Sequence, residues 1–337
     1  MNAIEMRALR KVYKGTGKVR GGGSSYSARW APPGSTAAPS GDVVALESLD
    51  LDIQAGEFFG LLGPNGAGKT TAIGILTTRV LPTSGRAIVA GADVVEDSVR
   101  VRQTIGVVPQ RPNADLSLNV IENLQFHAAY FGISFDVATK RAHELLERLG
   151  LSDKAESKLN ELSGGQQQRL MIVRALMHEP DIIFLDEPTV GLDPQARLDL
   201  WEILRDLHKR GRTIVMTTHY MDEADRLCDR LAIIDRGKLL ALDTPRKLKS
   251  KAPGGTLIEL VLDGDAAPAG EIAERIDGVS RVEANDGLLR VHSSRGGQAL
   301  PALIEAAETS GRTVTDIHLL QPSLESLFVS LTGRKLG

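Results

Sequence analysis

Nine consecutive residues, Gly63-Pro64-Asn65-Gly66-Ala67-Gly68-Lys69-Thr70-Thr71, combine the groups that a polyphosphate requires. The run fits G-x-x-x-x-G-K-[ST] and follows a short apolar segment, Phe58–Leu62, that reads as a buried strand. Gly66 and Gly68 let the backbone curl until successive N–H groups point at phosphate oxygens. A helix starting directly after the loop adds its positive end. Lys69 is placed to reach β- and γ-phosphates, Thr70 to coordinate Mg²⁺, and Thr71 to add a phosphate hydrogen bond. An ordinary glycine turn before a helix would need neither the lysine nor the hydroxyls.

Ile182-Ile183-Phe184-Leu185-Asp186-Glu187 is the second chemical element. Four apolar residues make a buried strand that delivers two carboxylates to the carboxyl edge of a sheet, where ligands bind in such folds. Asp186 is suited to hold Mg²⁺, directly or through water, and Glu187 to polarise an attacking water as general base. Two acids at a strand end are often only solvated charge, and the phosphate loop is what gives this pair its meaning.

Leu162-Ser163-Gly164-Gly165-Gln166 is the third. Ser163 and Gln166 have the S-x-x-Q spacing of a helix capping box, a structural reading that does not ask for two glycines. Close backbone approach by an anion at a helix start does ask for them. With this pentapeptide the chain resembles the ABC ATPases, whose signature sequence it is. The resemblance covers about Ile4 to Leu248 and implies ATP and Mg²⁺ as ligands, with the signature of one cassette closing over ATP held by the phosphate loop of another. It implies that Gln110, in Val107-Val108-Pro109-Gln110, contacts Mg²⁺ or the lytic water and senses a membrane partner. Asp193, in Gly191-Leu192-Asp193, would cross the dimer interface, and His219, after Thr217-Thr218, would contact the γ-phosphate. Tyr13 matches the aromatic that stacks on adenine, although the family passes from it to the next strand within a few residues and this chain inserts Lys14–Asp42.

Alternation from Ile4 to Tyr13 predicts a half-buried strand, and a further strand runs from Val43 to Ile53. Between them, 14–42 is crowded with Gly, Ser and Pro, a composition that predicts a flexible insertion. About 111–162 reads as a helical subdomain, with Leu145, Leu146 and Leu149 spaced to bury one face. A helix from Gln166, a strand at Ile182–Leu185, a helix around Gln195–Arg210 and a strand at Thr213–Thr217 complete an alternation that predicts a largely parallel sheet covered on both faces. The fold class is therefore α/β, a P-loop cassette over 1–248. A linker at 249–255 and a small α+β domain over 256–337, ordered strand, helix, strand, strand, helix, strand, helix, complete the chain. Leu324, Leu327, Phe328 and Leu331 form one helical stripe that completes the small domain's core or pairs with another subunit.

Bulk properties set the class. Of 337 residues, 42% are hydrophobic and 25% charged, as in ordinary globular proteins, and no apolar run approaches a bilayer span. The start, Met1 to Arg7, has no apolar signal core, so the chain is expected to stay in the compartment where it is made. A net charge of −3 gives no support to nucleic-acid binding. The single cysteine, Cys228, reads as a packed small residue, and His127, His143, His178 and His208 as surface or helix-face residues without metal-ligand spacing.

Thr217-Thr218-His219-Tyr220-Met221-Asp222-Glu223-Ala224 and Gln321-Pro322-Ser323-Leu324-Glu325-Ser326-Leu327-Phe328 resemble the drug- and antibiotic-resistance exporter branch of the family, including its daunorubicin type. That resemblance implies separate transmembrane permease subunits, a second cassette and a place on the cytoplasmic face of the cell membrane. Leu118–Phe131, with Phe126, Tyr130 and Phe131, is the expected contact with a membrane partner. The alternatives are an importer ATPase or a lipid, polysaccharide or haem exporter, and a non-transport ATPase acting on ribosomes or DNA. The second kind commonly carries paired cassettes or long coiled-coil or zinc insertions, and this chain has neither.

Overall fold

The computed structural model of the protein describes residues 2–15, 41–252 and 255–334. The body of the insertion expected at 14–42 and part of the expected linker lie outside the described residues. The chain divides into two compact units, Met1–Thr244 and Pro245–Gly337.

The first unit opens with β1 (Asn2–Tyr13), β2 (Val43–Gln54), β3 (Phe58–Leu62) and α1 (Lys69–Leu76). Then come β4 (Ser84–Val89), β5 (Ala92–Asp93), α2 (Ser98–Thr104) and β6 (Ile105–Val108). The span 111–162 holds α3 (Val120–Ala129), α4 (Phe135–Arg148) and two short 3₁₀ turns. Next are α5 (Gly164–Leu176), β7 (Ile182–Asp186), α6 (Pro194–Lys209) and β8 (Thr213–Thr218). The unit ends with α7 (Met221–Leu227), β9 (Arg230–Asp235) and β10 (Lys238–Asp243).

Ten of these elements are strands, arranged in two sheets. One, antiparallel, has the order β2-β1-β4-β5; the other has the order β10-β9-β3-β8-β7-β6 and is parallel except for β10. Every residue of β3 and β7 is buried, which is why both read as unbroken apolar runs and not as alternating ones. Parallel pairing has a functional consequence. It brings the carboxyl ends of β3, β6, β7 and β8 to one edge, so Gly63, Pro109, Glu187 and His219 all leave the sheet on the same side. On α4, Ala138, Ala142 and Leu146 form the buried stripe; Leu149, just past the helix, is buried, whereas Leu145 is half-buried at the stripe's edge.

The second unit begins with α8 (Pro245–Ser250), a helix across residues that read as cassette end and linker. It continues with β11 (Thr256–Leu262), α9 (Ala267–Ala273), β12 (Val279–Asn285), β13 (Leu288–Ser293), α10 (Leu300–Thr309), β14 (Val314–Leu320) and α11 (Leu324–Thr332). Its antiparallel sheet, β12-β13-β11-β14, has the ferredoxin-like split β-α-β order. Ile258, Leu260, Leu262 and Val291 pack against Ala269, Ala273, Leu303 and Ala307. On α11, Leu324, Leu327 and Phe328 are buried while Leu331 stays 42% exposed, so three of the four stripe residues are buried. Among the described residues, no helix is long and apolar enough to cross a membrane.

Candidate functional site

The loop between β3 and α1 is built around its lysine. Gly68, with φ of 106°, adopts the left-handed conformation that favours glycine, and a Cβ there would stand 2.5 Å from the Ala45 carbonyl oxygen. This turn starts α1 at Lys69, so the lysine and Thr70 occupy the first helical positions. Lys69 is 4% exposed, and its Nζ donates to the carbonyls of Gly63 (2.8 Å) and Pro64 (3.1 Å) while pairing with Glu187 Oε1 at 3.0 Å. Asn65 and Thr70 are exposed, Pro64 and Gly66 half-buried, and Gly63, Ala67 and Thr71 buried.

Opposite the loop, β7 ends in the two acids. Asp186 Oδ1 accepts from Thr70 Oγ1 (3.1 Å) and from Thr217 Oγ1 (2.6 Å). Burial pushes the Asp186 carboxyl up, and the Thr217 and Thr70 hydroxyls pull it back. Glu187 reverses the chain in the left-handed region, with φ of 48°, a strain of about 1–3 kcal/mol for a residue with a side chain. Its N–H is held by the Thr217 carbonyl (3.1 Å) and Thr217 Oγ1 (2.9 Å). That kink turns its 6%-exposed carboxylate inward. Gln110 Nε2 donates to Glu187 Oε2 at 3.2 Å, and His219 Nδ1 lies 3.3 Å from the same oxygen without completing a hydrogen bond. A buried cation, a hydroxyl, two carboxylates, an amide and an imidazole from four sheet ends thus converge. Such a set can bind phosphate oxygens, hold a hard cation and take a proton from water.

The second group lies apart. Among the described residues, no hydrogen bond joins Ser163–Gln166 to the phosphate loop. Ser163 and Gln166 form the capping box in full: Ser163 N donates to Gln166 Oε1 (2.8 Å), and Gln166 N donates to Ser163 Oγ (3.3 Å). The two glycines differ. A Cβ on Gly165 would stand 2.9 Å from Ala196 Cβ on α6, so packing inside the chain demands that glycine. A Cβ on Gly164 would meet nothing nearer than Leu192 Cδ2 at 4.0 Å. Gly164 is exposed and unforced by its own fold. Asp193 is also exposed and caps α6 by accepting from Ala196 N at 2.9 Å.

Tyr13 ends β1, half-buried, with Lys11 Nζ 4.9 Å from its ring centre. It pairs with Val43, and Gly15 N donates to Asp42 Oδ1 at 2.9 Å, so the chain is clamped at both ends of the inserted residues. Val43 lies two residues before Ala45, whose carbonyl packs on Gly68, which carries the Tyr13 strand end toward the loop.

Thr217 escaped the sequence reading. It is fully buried, and its hydroxyl and carbonyl fix both acids. The available signal was a hydroxyl two residues before His219 in an apolar strand. His127, His143 and His208 lie on helices, as expected, and His178 just past α5. His178 stacks on Phe131 at 3.7 Å, His127 Nδ1 accepts from Arg174 Nε at 3.2 Å, and His208 Nε2 sits 2.9 Å from the Gly56 carbonyl oxygen. These three hold elements together because ring faces and two ring nitrogens serve packing and backbone contacts at once. Phe131, half-buried, takes part in that packing, whereas Phe126 and Tyr130 are 49% and 89% exposed. Cys228 is buried. No group of three or more His, Cys, Asp or Glu that could hold a metal exists among the described residues.

Residues 46–190 match the family model described as ABC transporter. Over 296 residues the chain is 38% identical to the Nod factor export ATP-binding protein I of Cupriavidus metallidurans, covering 88% of this chain and 95% of that one. It is 37% identical over 298 residues to the daunorubicin resistance ATP-binding protein DrrA3 of Streptomyces coeruleorubidus, covering 87% and 92%. Among solved structures it is similar to the dimeric ATP-binding cassette MJ0796 bound to ADP and Pi. That match has a TM-score of 0.59 at 28% identity and covers 72% of this chain and 98% of that one. With the phosphate loop, the buried acids and near-full-length relatives in agreement, the chain belongs to the ATP-binding proteins of ABC transporters and is an ATPase of that family.

Proposed function

We propose that this ATPase is the motor subunit of an exporter, driving a drug-like or other amphiphilic compound outward through separate transmembrane permease subunits. The relatives named for Nod factor export and daunorubicin resistance support export, since their similarity spans most of this chain and not the cassette alone. The observation that carries the catalytic reading is the convergence of Lys69, Thr70, Asp186, Glu187, Gln110 and His219 at one sheet edge.

In this reading the 63–71 loop cradles the phosphates, Lys69 neutralises the β- and γ-oxygens, and Thr71 adds a hydrogen bond. Thr70 Oγ1 and Asp186 Oδ1 are hard oxygen donors 3.1 Å apart that would hold Mg²⁺ with help from Gln110, the ion serving to neutralise charge on the transferred phosphoryl group. Glu187 takes the proton of the attacking water, Gln110 orients that water, and His219 contacts the γ-phosphate. Tyr13 stacks on adenine. Ser163, Gly164, Gly165, Gln166 and Asp193 complete the site of a partner cassette, for which the dimeric form of MJ0796 is the supporting precedent. The exposed Phe126, Tyr130, Phe135 and Leu116 offer an apolar surface to a cytoplasmic helix of the permease, which would hold the subunit at the cytoplasmic face of the membrane.

Co-purification from the native cell tests the reading. A polytopic membrane partner that raises ATPase activity, and crosslinks to positions 126 or 130, is the expected result. Capture of ribosomes or DNA instead would overturn it.

A further inference from the structure

One fully buried acid of the first unit takes no part in the chemistry above. Glu223, in the first turn of α7, is 0% exposed. Trp201 Nε1 on α6 donates to its Oε1 at 3.1 Å. The side chains of Thr218 and Thr189 also direct hydrogen-bonding capacity at this carboxyl, while burial pushes it up. The Thr189 contact is loose, since Glu223 Oε2 and Thr189 Oγ1 are both buried without a well-formed bond. A leucine would fill such a space without the cost of desolvating an acid, so packing does not explain the residue.

Its neighbours do. Thr218 immediately precedes His219, and its Oγ1 accepts from Tyr220 N at 2.9 Å, fixing the turn that carries the imidazole. Thr189 lies two residues beyond Glu187, inside the turn where Val190 N donates to the Glu187 carbonyl at 3.3 Å. Trp201 sits on the helix that Asp193 caps. The same helix sends Arg197 over the Tyr220 ring at 4.4 Å, and that ring lies 4.2 Å from His219. Glu223 is therefore bonded to the helix behind Asp193, and its carboxyl feels the hydroxyls of Thr218, beside His219, and of Thr189, two residues past Glu187.

We infer that Glu223 is a positioning residue for hydrolysis: it ties the Thr218–His219 strand end to the Glu187–Thr189 turn and to Trp201, and so holds the His219 imidazole opposite the Glu187 carboxylate. It touches no substrate and acts through the two residues it spaces. The inference rests on the roles proposed above for Glu187 and His219.

The test uses the full chain with Mg-ATP and compares Glu223→Leu, Glu223→Gln, Thr189→Val and Glu187→Gln. Turnover, nucleotide affinity and melting temperature are measured for each. Glu223→Leu is expected to lower kcat about tenfold or more while the Kd for ATP stays within about twofold. Glu223→Gln, which keeps an acceptor for Trp201 and polar contact with both threonines, restores kcat relative to the leucine variant. Thr189→Val lowers kcat in the same direction at unchanged affinity. Wild-type kcat in Glu223→Leu, or a loss of ATP affinity matching the loss of kcat, overturns the inference. Should that variant fail to fold, Thr189→Val decides alone, and unchanged kcat there overturns it. Retained turnover in Glu187→Gln would instead mean that the site reading itself has failed.

Discussion

Glu187 carries a strained backbone, a buried carboxylate and three polar neighbours, and each of these costs free energy that a surface glutamate would not. The arrangement is explicable if that oxygen must meet a reacting water. Glu187→Gln keeps size and hydrogen bonding but removes the base, so turnover should fall about 10²–10⁴-fold while ATP stays bound. Steady-state phosphate release and nucleotide binding measure the two effects, and unchanged release would refute the role. Asp186 supplies a second residue-scale test, because burial raises its carboxyl above the ordinary value. A raised carboxyl favours the protonated form in the fold, so the ionised form destabilises once pH exceeds the unfolded value, about 3.9. Asp186→Asn should therefore melt higher than wild type near pH 7. The gain should vanish as pH falls toward the unfolded value. Thermal melts across that range check both the gain and its loss.

At the scale of elements, the contact between α5 and α6 separates two adjacent glycines by purpose. Gly165→Ala drives a Cβ into Ala196 and should destabilise by about 1–3 kcal/mol. Gly164→Ala meets open space, so stability should stay within about 0.5 kcal/mol. Its hydrolysis should nevertheless drop if, as proposed, that space receives the partner's nucleotide. Melting curves beside ATPase rates distinguish the two; equal destabilisation would remove the argument that Gly164 serves another molecule. The end of α3 makes a different prediction. Burial, then Arg174 and His178, depress His127 to about 3. The fold thus holds the neutral ring, and that stability is complete above the unfolded value near 6.5 and is lost as pH falls from there toward about 3. His127→Gln should flatten the decline in melting temperature over that window, and an equally steep decline in both proteins would count against the assignment.

For the whole molecule, half of each hydrolytic site stands on a separate chain in the proposed reading. Lys69 and Glu187 meet within one cassette, yet Ser163 and Asp193 present exposed groups that the same chain's loop does not engage. Activity of the isolated subunit should therefore rise more than linearly with protein concentration. ATP should also drive the Glu187→Gln protein into a dimer detectable by light scattering. A strictly linear dependence, with a monomer at saturating ATP, would place the complete site on one chain.

Much of this was legible in the sequence because the decisive signals are local. The loop from Gly63 to Thr71 needs a glycine-permitted curl and a helix start, both set by residues within one turn of each other. The buried runs of β3 and β7 and the capping box at Ser163 are likewise short-range patterns. The order of elements in the second unit was legible for the same reason, through the alternation of apolar periods. Long-range contacts were not. No local pattern places Thr217 beneath both acids, packs His127 and His178 against Phe131, or shows that α6 closes over Gly165 while Gly164 is free. A sequence specifies which groups are available and what each segment will form. Which buried donor meets which acceptor is decided by the pairing of distant strands and helices, and that pairing sets His219 beside Glu187.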